Sequence, residues 1–310
     1  MKLSELVNYR NRLDELSSIP TLQSANFELD KVRHFIESAP ELMESITHDI
    51  DNQYANIQQA FSNFEVDLNN LKAQLKLKIE EAEKPWFQES YTLYEGEKYY
   101  SAEFILNLRK PHTPDTAPFR ERLTQYANWK YPAIIIRPGL ESFIENMVAY
   151  DPLYLIDLNH DYLIPALSKF NQQYQNRLRT YSVVEEIGQE ILNKIPNEQF
   201  GMCLAYNYFN FRPFEILKKY LSEVYQKLKP GGVFAFTIND CDRTSAVILV
   251  ENYYCCYTPG YLVRELALSM GYEILYSWND AGPATWLELK KPGELESIKG
   301  GQTLAKILPK

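Results

Sequence analysis

Leu221–Ile238 reads LSEVYQKLKPGGVFAFTI, and three kinds of local order meet in it. Its first part closes an amphipathic helix over Pro213–Leu228, with Phe214, Ile216, Leu217, Tyr220, Leu221 and Val224 three and four apart on one side. Lys229-Pro230-Gly231-Gly232 then turns the chain, because proline ends a helix and glycine enters conformations closed to other residues. Val233–Ile238 (VFAFTI) is a near-continuous apolar run of strand length, as expected of a strand buried on both faces. An amphipathic helix feeding a doubly buried strand is half of a βαβ unit, the building block of a parallel sheet covered by helices.

The same alternation extends both ways from Lys130 onward. Ala133–Arg137 (AIIIR) reads as a strand ending in Pro-Gly, followed by a helix Leu140–Val148. Tyr154–Asp157 (YLID) is a second strand with helix Tyr162–Tyr174 after it, and a weaker strand Arg179–Val184 precedes helix Glu185–Lys194. Gly201–Tyr206 (GMCLAY) is the fourth strand and Val233–Ile238 the fifth. A helix Pro259–Met270 stops at Gly271, leaving strands Tyr272–Ser277 and Thr285–Lys290. Their link, Asn279–Pro283, is too short for a parallel crossover, so this last pair is an antiparallel hairpin.

Upstream the period changes. Met43, Ile50, Ile57, Phe64 and Leu71 sit seven apart, and Tyr54, Phe61, Leu68 and Leu75 fall four after the last four of them. A 3-4 alternation of this length keeps one apolar stripe along a helix, as in a coiled coil. Two partners suit that stripe: another copy or protein, or the earlier segment Phe27–Ser38 folded back as a helical hairpin. Residues 1–85 hold 9 basic and 15 acidic side chains, net -6, against -9 for the 310-residue chain, so the remainder carries -3. The organisation read from these shifts is a helical arm over 1–85, a Tyr- and Trp-rich connecting segment over 86–130, an α/β domain over 131–292 and a basic tail over 293–310.

Composition narrows the classes of function. An acidic chain argues against a nucleic-acid-coating surface. No apolar run approaches the roughly 18 residues that cross a bilayer, and the start, MKLSELVNYRNRLDEL, lacks the apolar core of a secretion signal. Four cysteines without a CxxC pair favour neither a disulfide framework nor a zinc site. These features point to a cytoplasmic, reducing location and to no metal.

The order of elements resembles that of the class I S-adenosylmethionine-dependent methyltransferase superfamily, over about 131–292. Leu221–Ile238 is similar to the family's helix, Leu-Lys-Pro-Gly-Gly turn and fifth strand. Tyr257–Lys291 resembles the last helix, Gly-aromatic step and terminal hairpin, and LYLIDLNHDYLIPAL at 153–167 the second strand. The resemblance implies an α/β fold: a Rossmann-like methyltransferase sheet, mostly parallel with an antiparallel terminal hairpin, preceded by a long helical coiled-coil arm. It implies S-adenosylmethionine as cofactor, with Asp157 at the place of the acid that binds the ribose hydroxyls. Gly139, Glu185 and Asn207 are the other cofactor candidates, all just past strand ends where open parallel sheets bind ligands. Tyr208 and Asp240 border the expected acceptor, Asp240 as a candidate general base or a capping side chain. His160, beside the expected cofactor edge, and the Cys255-Cys256 pair are read as structural.

The resemblance breaks at the family's glycine-rich first motif. Here the stretch is Ile136-Arg137-Pro138-Gly139-Leu140-Glu141-Ser142, with one glycine. Arg137 stands in place of either the acid that meets the methionine ammonium or a glycine. Tyr206-Asn207-Tyr208-Phe209-Asn210-Phe211 has the Asn and aromatics of a base-specific amino methyltransferase motif without its prolines, so nucleic acid is not the expected acceptor. No Gly-x-Gly-x-x-Gly run suggests a dehydrogenase. Two readings follow: a methyltransferase with an altered first motif, or a methyltransferase-like scaffold that assembles through its helical arm, as a homo-oligomer or with another protein.

Overall fold

The structure, a computed structural model, describes residues 2–15, 47–97, 117–138, 143–168, 170–186, 188–279 and 282–297. The segment Phe27–Ser38, residues 98–116 of the connecting segment, Gly139 and residues 298–310 of the basic tail lie outside the described residues. The chain divides into two compact units, Met1–Lys84 and Pro85–Lys310.

In the first unit, helix α1 (Leu3–Glu15) buries Leu3, Leu6 and Val7, three and four apart on one face. One turn further along that face Arg10 lies 3.0 Å from Glu83, and both side chains are buried. Helix α2 spans Thr47–Glu97. It does not stop at Pro85. A proline inside a helix frees the carbonyl four residues earlier, and here that residue is Glu81, exposed like Pro85 itself, so water can take up the carbonyl. Ile57, Phe61, Phe64 and Leu71 of the seven-residue repeat are exposed along α2.

In the second unit a seven-stranded sheet runs in the order β3-β2-β1-β4-β5-β7-β6. The strands are β1 (Ala133–Ile136), β2 (Leu153–Asp157), β3 (Leu178–Ser182), β4 (Phe200–Ala205), β5 (Leu228–Asn239), β6 (Glu273–Asn279) and β7 (Ala284–Lys290). Strands β1 to β5 pair in parallel, β7 runs antiparallel to β5, and β6 to β7. This is the Rossmann-like methyltransferase sheet with its antiparallel end. Alternate residues of β1 serve opposite faces: Ile134 and Ile136 join one core cluster, Ala133 and Ile135 the other. The first core is closed by α6 (Phe214–Lys227) and α8 (Gly260–Ser269); α3 (Ala117–Gln125) contributes Phe119 and Leu123 to the second. Arg122 of α3 grips the fully buried Glu288 of β7 through Nε at 2.6 Å, and Trp286 Nε1 donates to the same carboxylate at 2.8 Å.

The Pro-Gly-Gly stretch, expected as a turn ahead of the fifth strand, lies inside β5, where the pairing with β4 shifts from Phe200–Leu228 to Met202–Val233, and its glycines have a tertiary reason. A side chain at Gly231 (φ +84°) would press on the backbone of Glu294 and Leu295 at 2.5–2.8 Å, and one at Gly232 on the Phe200 carbonyl at 2.8 Å. Gly231 N–H donates to the Lys291 carbonyl at 2.8 Å and Lys291 N–H to that of Gly232 at 2.9 Å. This irregular stretch of β5 is thus a docking point for the chain leaving β7.

Three expected helices are broken or missing, each for a local reason. Tyr162–Tyr174 is a 3-10 turn (His160–Tyr162) and two one-turn helices, α4 (Ile164–Leu167) and α5 (Gln172–Gln175). Asn159 and Asn171 cap the first and last of these pieces, accepting from Asp161 N–H and Tyr174 N–H, so the polar residues start new turns rather than continue one helix. The stretch 185–194 is not helical. Gly188 sits at φ +98°, and the Ile191 and Leu192 N–H groups donate to the buried Glu223 carboxylate of α6 at 3.0 and 2.6 Å instead of to helical carbonyls. Of Leu140–Val148 the described part is a 3-10 helix, Phe143–Met147. The remaining helix, α7, spans Thr244–Glu251.

Candidate functional site

β1 pairs with both β2 and β4, so the sheet reverses its winding beside β1, the place where open parallel sheets bind ligands beyond their carboxyl ends. Arg137 follows β1 directly. Its backbone takes φ +51°, a conformation glycine adopts freely, which supports the alignment in which Arg137 stands in a glycine's place. The N–H donates to the Ile156 carbonyl at 2.7 Å. The side chain lies between two rings, 5.1 Å from the centroid of Tyr162 and 5.2 Å from that of Tyr208, with Nε 3.5 Å from Asp157 Oδ2.

Asp157, the last residue of β2, is buried. Oδ1 accepts from the N–H groups of Leu158 (2.7 Å) and Asn159 (3.4 Å), which fixes the turn after the strand. Among the described residues, Oδ2 and Arg137 Nη1 are buried with no hydrogen-bond partner. Burial raises the Asp157 pKa above its ordinary value, against the pull of the Arg137 charge and of the two backbone donors.

Past β3, Glu185 is at the centre of a closed knot. Tyr94 Oη donates to Oε2 at 2.9 Å, Arg212 Nε lies 2.8 Å from the same oxygen, and Tyr208 Oη donates to Oε1. The Arg212 guanidinium stacks over Tyr208 (4.5 Å) and Tyr94 (5.2 Å), and only 1% of the residue is exposed. Burial, then the Glu185 charge, drives the Tyr94 hydroxyl far above its ordinary pKa; burial also raises that of Tyr208, so both stay protonated donors.

Asn207 also takes a left-handed conformation (φ +47°). Its N–H donates to Thr237 Oγ1 at 2.7 Å and its side-chain oxygen accepts from Asn210 Nδ2 at 2.9 Å. Asp240 is equally committed. Oδ2 accepts from Thr285 Oγ1 (2.7 Å) and Arg264 Nη2 (3.1 Å), and Oδ1 from Asp242 N–H (3.2 Å). His160 is exposed on its 3-10 turn, and Cys255 and Cys256 are buried free thiols. Among the described residues no group of three His, Cys, Asp or Glu side chains is placed to hold a metal ion, and no helix is long and apolar enough to cross a membrane.

The structure therefore gathers Asp157, Arg137, Tyr208 and Glu185 at one edge. Sequence reasoning missed Tyr94 and Arg212, which complete the Glu185 knot from distant segments, and Tyr220, whose hydroxyl lies 3.4 Å from that of Tyr208. Their number and type carry no spacing signal. Both Glu185 oxygens accept from protein donors, and the Arg137 guanidinium stands beside the Asp157 carboxylate.

No family model matches the chain, and no curated protein matches it. Among solved structures it is similar to an S-adenosylmethionine-dependent methyltransferase from Mesorhizobium loti (10% identity, 56% of this chain and 97% of that one, TM-score 0.46). It is also similar to an O-methyltransferase family protein from Burkholderia thailandensis (10% identity, 57% and 56%, TM-score 0.46). The fold assignment rests on strand order and register: the second unit has the Rossmann-like sheet of class I methyltransferases.

Proposed function

We propose that the α/β unit is a methyltransferase-type scaffold whose cofactor edge is sealed by its own side chains, and that the protein acts through assembly rather than methyl transfer. The observation that carries this reading is the double ionic closure, Arg137 on Asp157 and Arg212 on Glu185, at the strand ends where a nucleoside would bind. Breaking a buried ion pair by drawing off one partner costs several kcal/mol, so a cofactor would have to repay that before gaining any affinity. The surface left for association is the α2 stripe of Ile57, Phe61, Phe64 and Leu71, a continuous exposed apolar row. Asp67 and Lys72 flank it five residues apart. In a parallel, in-register pair of such helices these two attract across the seam on both sides, which favours a second copy as partner.

A second reading, a methyltransferase of unknown acceptor, draws on one observation: Asp157 Oδ2 and Arg137 Nη1 are buried without hydrogen-bond partners, as if a ribose hydroxyl and a carboxylate could meet them. Calorimetric titration with S-adenosylmethionine and S-adenosylhomocysteine, beside Asp157→Ala, separates the two. The scaffold reading expects no binding by the folded wild-type protein. Micromolar binding abolished in Asp157→Ala would replace it with the enzyme reading.

A further inference from the structure

On the opposite half of the sheet, where β5 and β6 end and β7 begins, lies an open cavity of about 300 Å³. Asp240, Asp242, Arg243, Arg264, Trp278 and Thr285 are among its walls. That volume is at the lower end of the roughly 300–1,000 Å³ typical of small-ligand sites. Three strands separate its floor from β2, so it is a different place from the sealed edge.

Its walls carry two carboxylates and two guanidinia, unevenly paired. Arg264 is used twice, by Asp240 Oδ2 at 3.1 Å and by Asp242 Oδ2 at 3.2 Å. Those carboxylates are held further by Thr285 Oγ1 (2.7 Å) and by Tyr261 N–H (2.7 Å). Arg243 makes no ion pair among the described residues, and its Nε is buried with no hydrogen-bond partner. A guanidinium on a cavity wall without a counterion is a place for a ligand oxygen, which its forked N–H donors can meet. Arg243 is also the N-cap of α7, where no side chain caps the helix, so the positive end of α7 adds to the same rim. Trp278 gives the cavity an aromatic wall, braced edge-on by Phe119 at 5.2 Å.

We propose that this cavity binds a small monoanionic carboxylate on a flat apolar body, the carboxylate meeting Arg243 and the body lying against Trp278. A planar carboxylate matches the two-pronged guanidinium. The neighbouring Asp240 and Asp242 disfavour a doubly charged phosphate, since like charges repel at close range.

Benzoate is the probe, with its uncharged counterpart benzamide and inorganic phosphate as comparisons, and no nucleoside is present, so the outcome is independent of the cofactor edge. The signals are the Arg243 Nε–H and Trp278 indole N–H resonances, with affinity from calorimetry on the full chain. Benzoate should shift both saturably, and benzamide at tenfold higher concentration should not. Arg243→Gln should weaken benzoate at least tenfold while the rest of the spectrum keeps its dispersion. The idea is overturned by no benzoate response, by an equal response to benzamide, by tighter binding of phosphate, or by unchanged affinity in a folded Arg243→Gln variant.

Discussion

The Arg137 guanidinium lies 3.5 Å from the Asp157 carboxylate, a buried ion pair at the carboxyl ends of β1 and β2. Both are largely buried, with 11% and none of their side chains exposed. Removing one partner of such a pair strands the other charge. Arg137→Met or Asp157→Leu alone should each cost about 3 kcal/mol in urea unfolding, whereas replacing both with apolar residues can be nearly neutral. A double variant should therefore recover most of the loss. Strictly additive losses would mean that the pair is not coupled.

Asp157 also carries a pH signature. Burial is the largest influence on it and raises its pKa above the ordinary 3.8. The folded protein thus holds this proton more tightly than the unfolded chain. Stability from this group is present below pH 3.8 and declines as pH rises through the raised folded value, the reverse of a salt-bridged carboxylate with a depressed pKa. Asp157→Asn should remove that decline. Urea midpoints measured from pH 3.5 upward in both proteins would show it, and parallel curves would rule it out.

Much of the sheet was legible because its strands are nearly pure apolar runs, and a doubly buried strand has few other readings. The Leu-Lys-Pro-Gly-Gly stretch was legible as the end of a helix, but not as the irregular start of β5 or as the dock for residues 291–295, since glycine reports conformational freedom and not what approaches it. The helices after β2 and β3 were not legible: Asn159, Asn171 and Glu223 redirect backbone donors by side-chain bonds that no periodicity shows. At the candidate site Arg137 stood out as a cation in a glycine-rich loop's place. Arg212 did not, because its partner Glu185 lies 27 residues away in another loop.

The Glu185 knot predicts a large effect from a small change. Glu185→Gln keeps the shape and removes the charge, leaving Arg212, 1% exposed, without its counterion. A loss of about 3 kcal/mol is expected. Tyr208→Phe removes one donor to an ionised acceptor and should cost less, about 1.5 kcal/mol. Equal losses in the two variants would show that the hydroxyl, not the ion pair, holds the knot.

Gly260 starts α8 against the Asp240 carboxylate, and a methyl there would come within 2.2 Å of Oδ1. The carboxylate has little room to yield, being held by Thr285 and Arg264. Gly260→Ala should destabilise the protein by about 1–3 kcal/mol, as overpacking does. At Gly96, in the last turn of α2, no atom lies within 4 Å of an added methyl. Gly96→Ala should stabilise by up to about 1 kcal/mol through helix propensity. Thermal melts of the two variants should move in opposite directions.

Association through α2 can be tested apart from the α/β unit's stability. Phe64 is 51% and Leu71 49% exposed, so charge at either position disturbs little packing among the described residues. Phe64→Lys and Leu71→Lys should leave the unfolding midpoint nearly unchanged at low protein concentration, while shifting sedimentation toward the 36.2 kDa monomer. If both variants sediment as wild type does, the stripe is not the seam. The pairing of Asp67 with Lys72 adds a check on orientation. Asp67→Lys alone sets like charges across a parallel seam and should weaken association. Adding Lys72→Asp restores attraction in that register and should recover it. Failure of the double variant to recover would exclude the parallel, in-register arrangement.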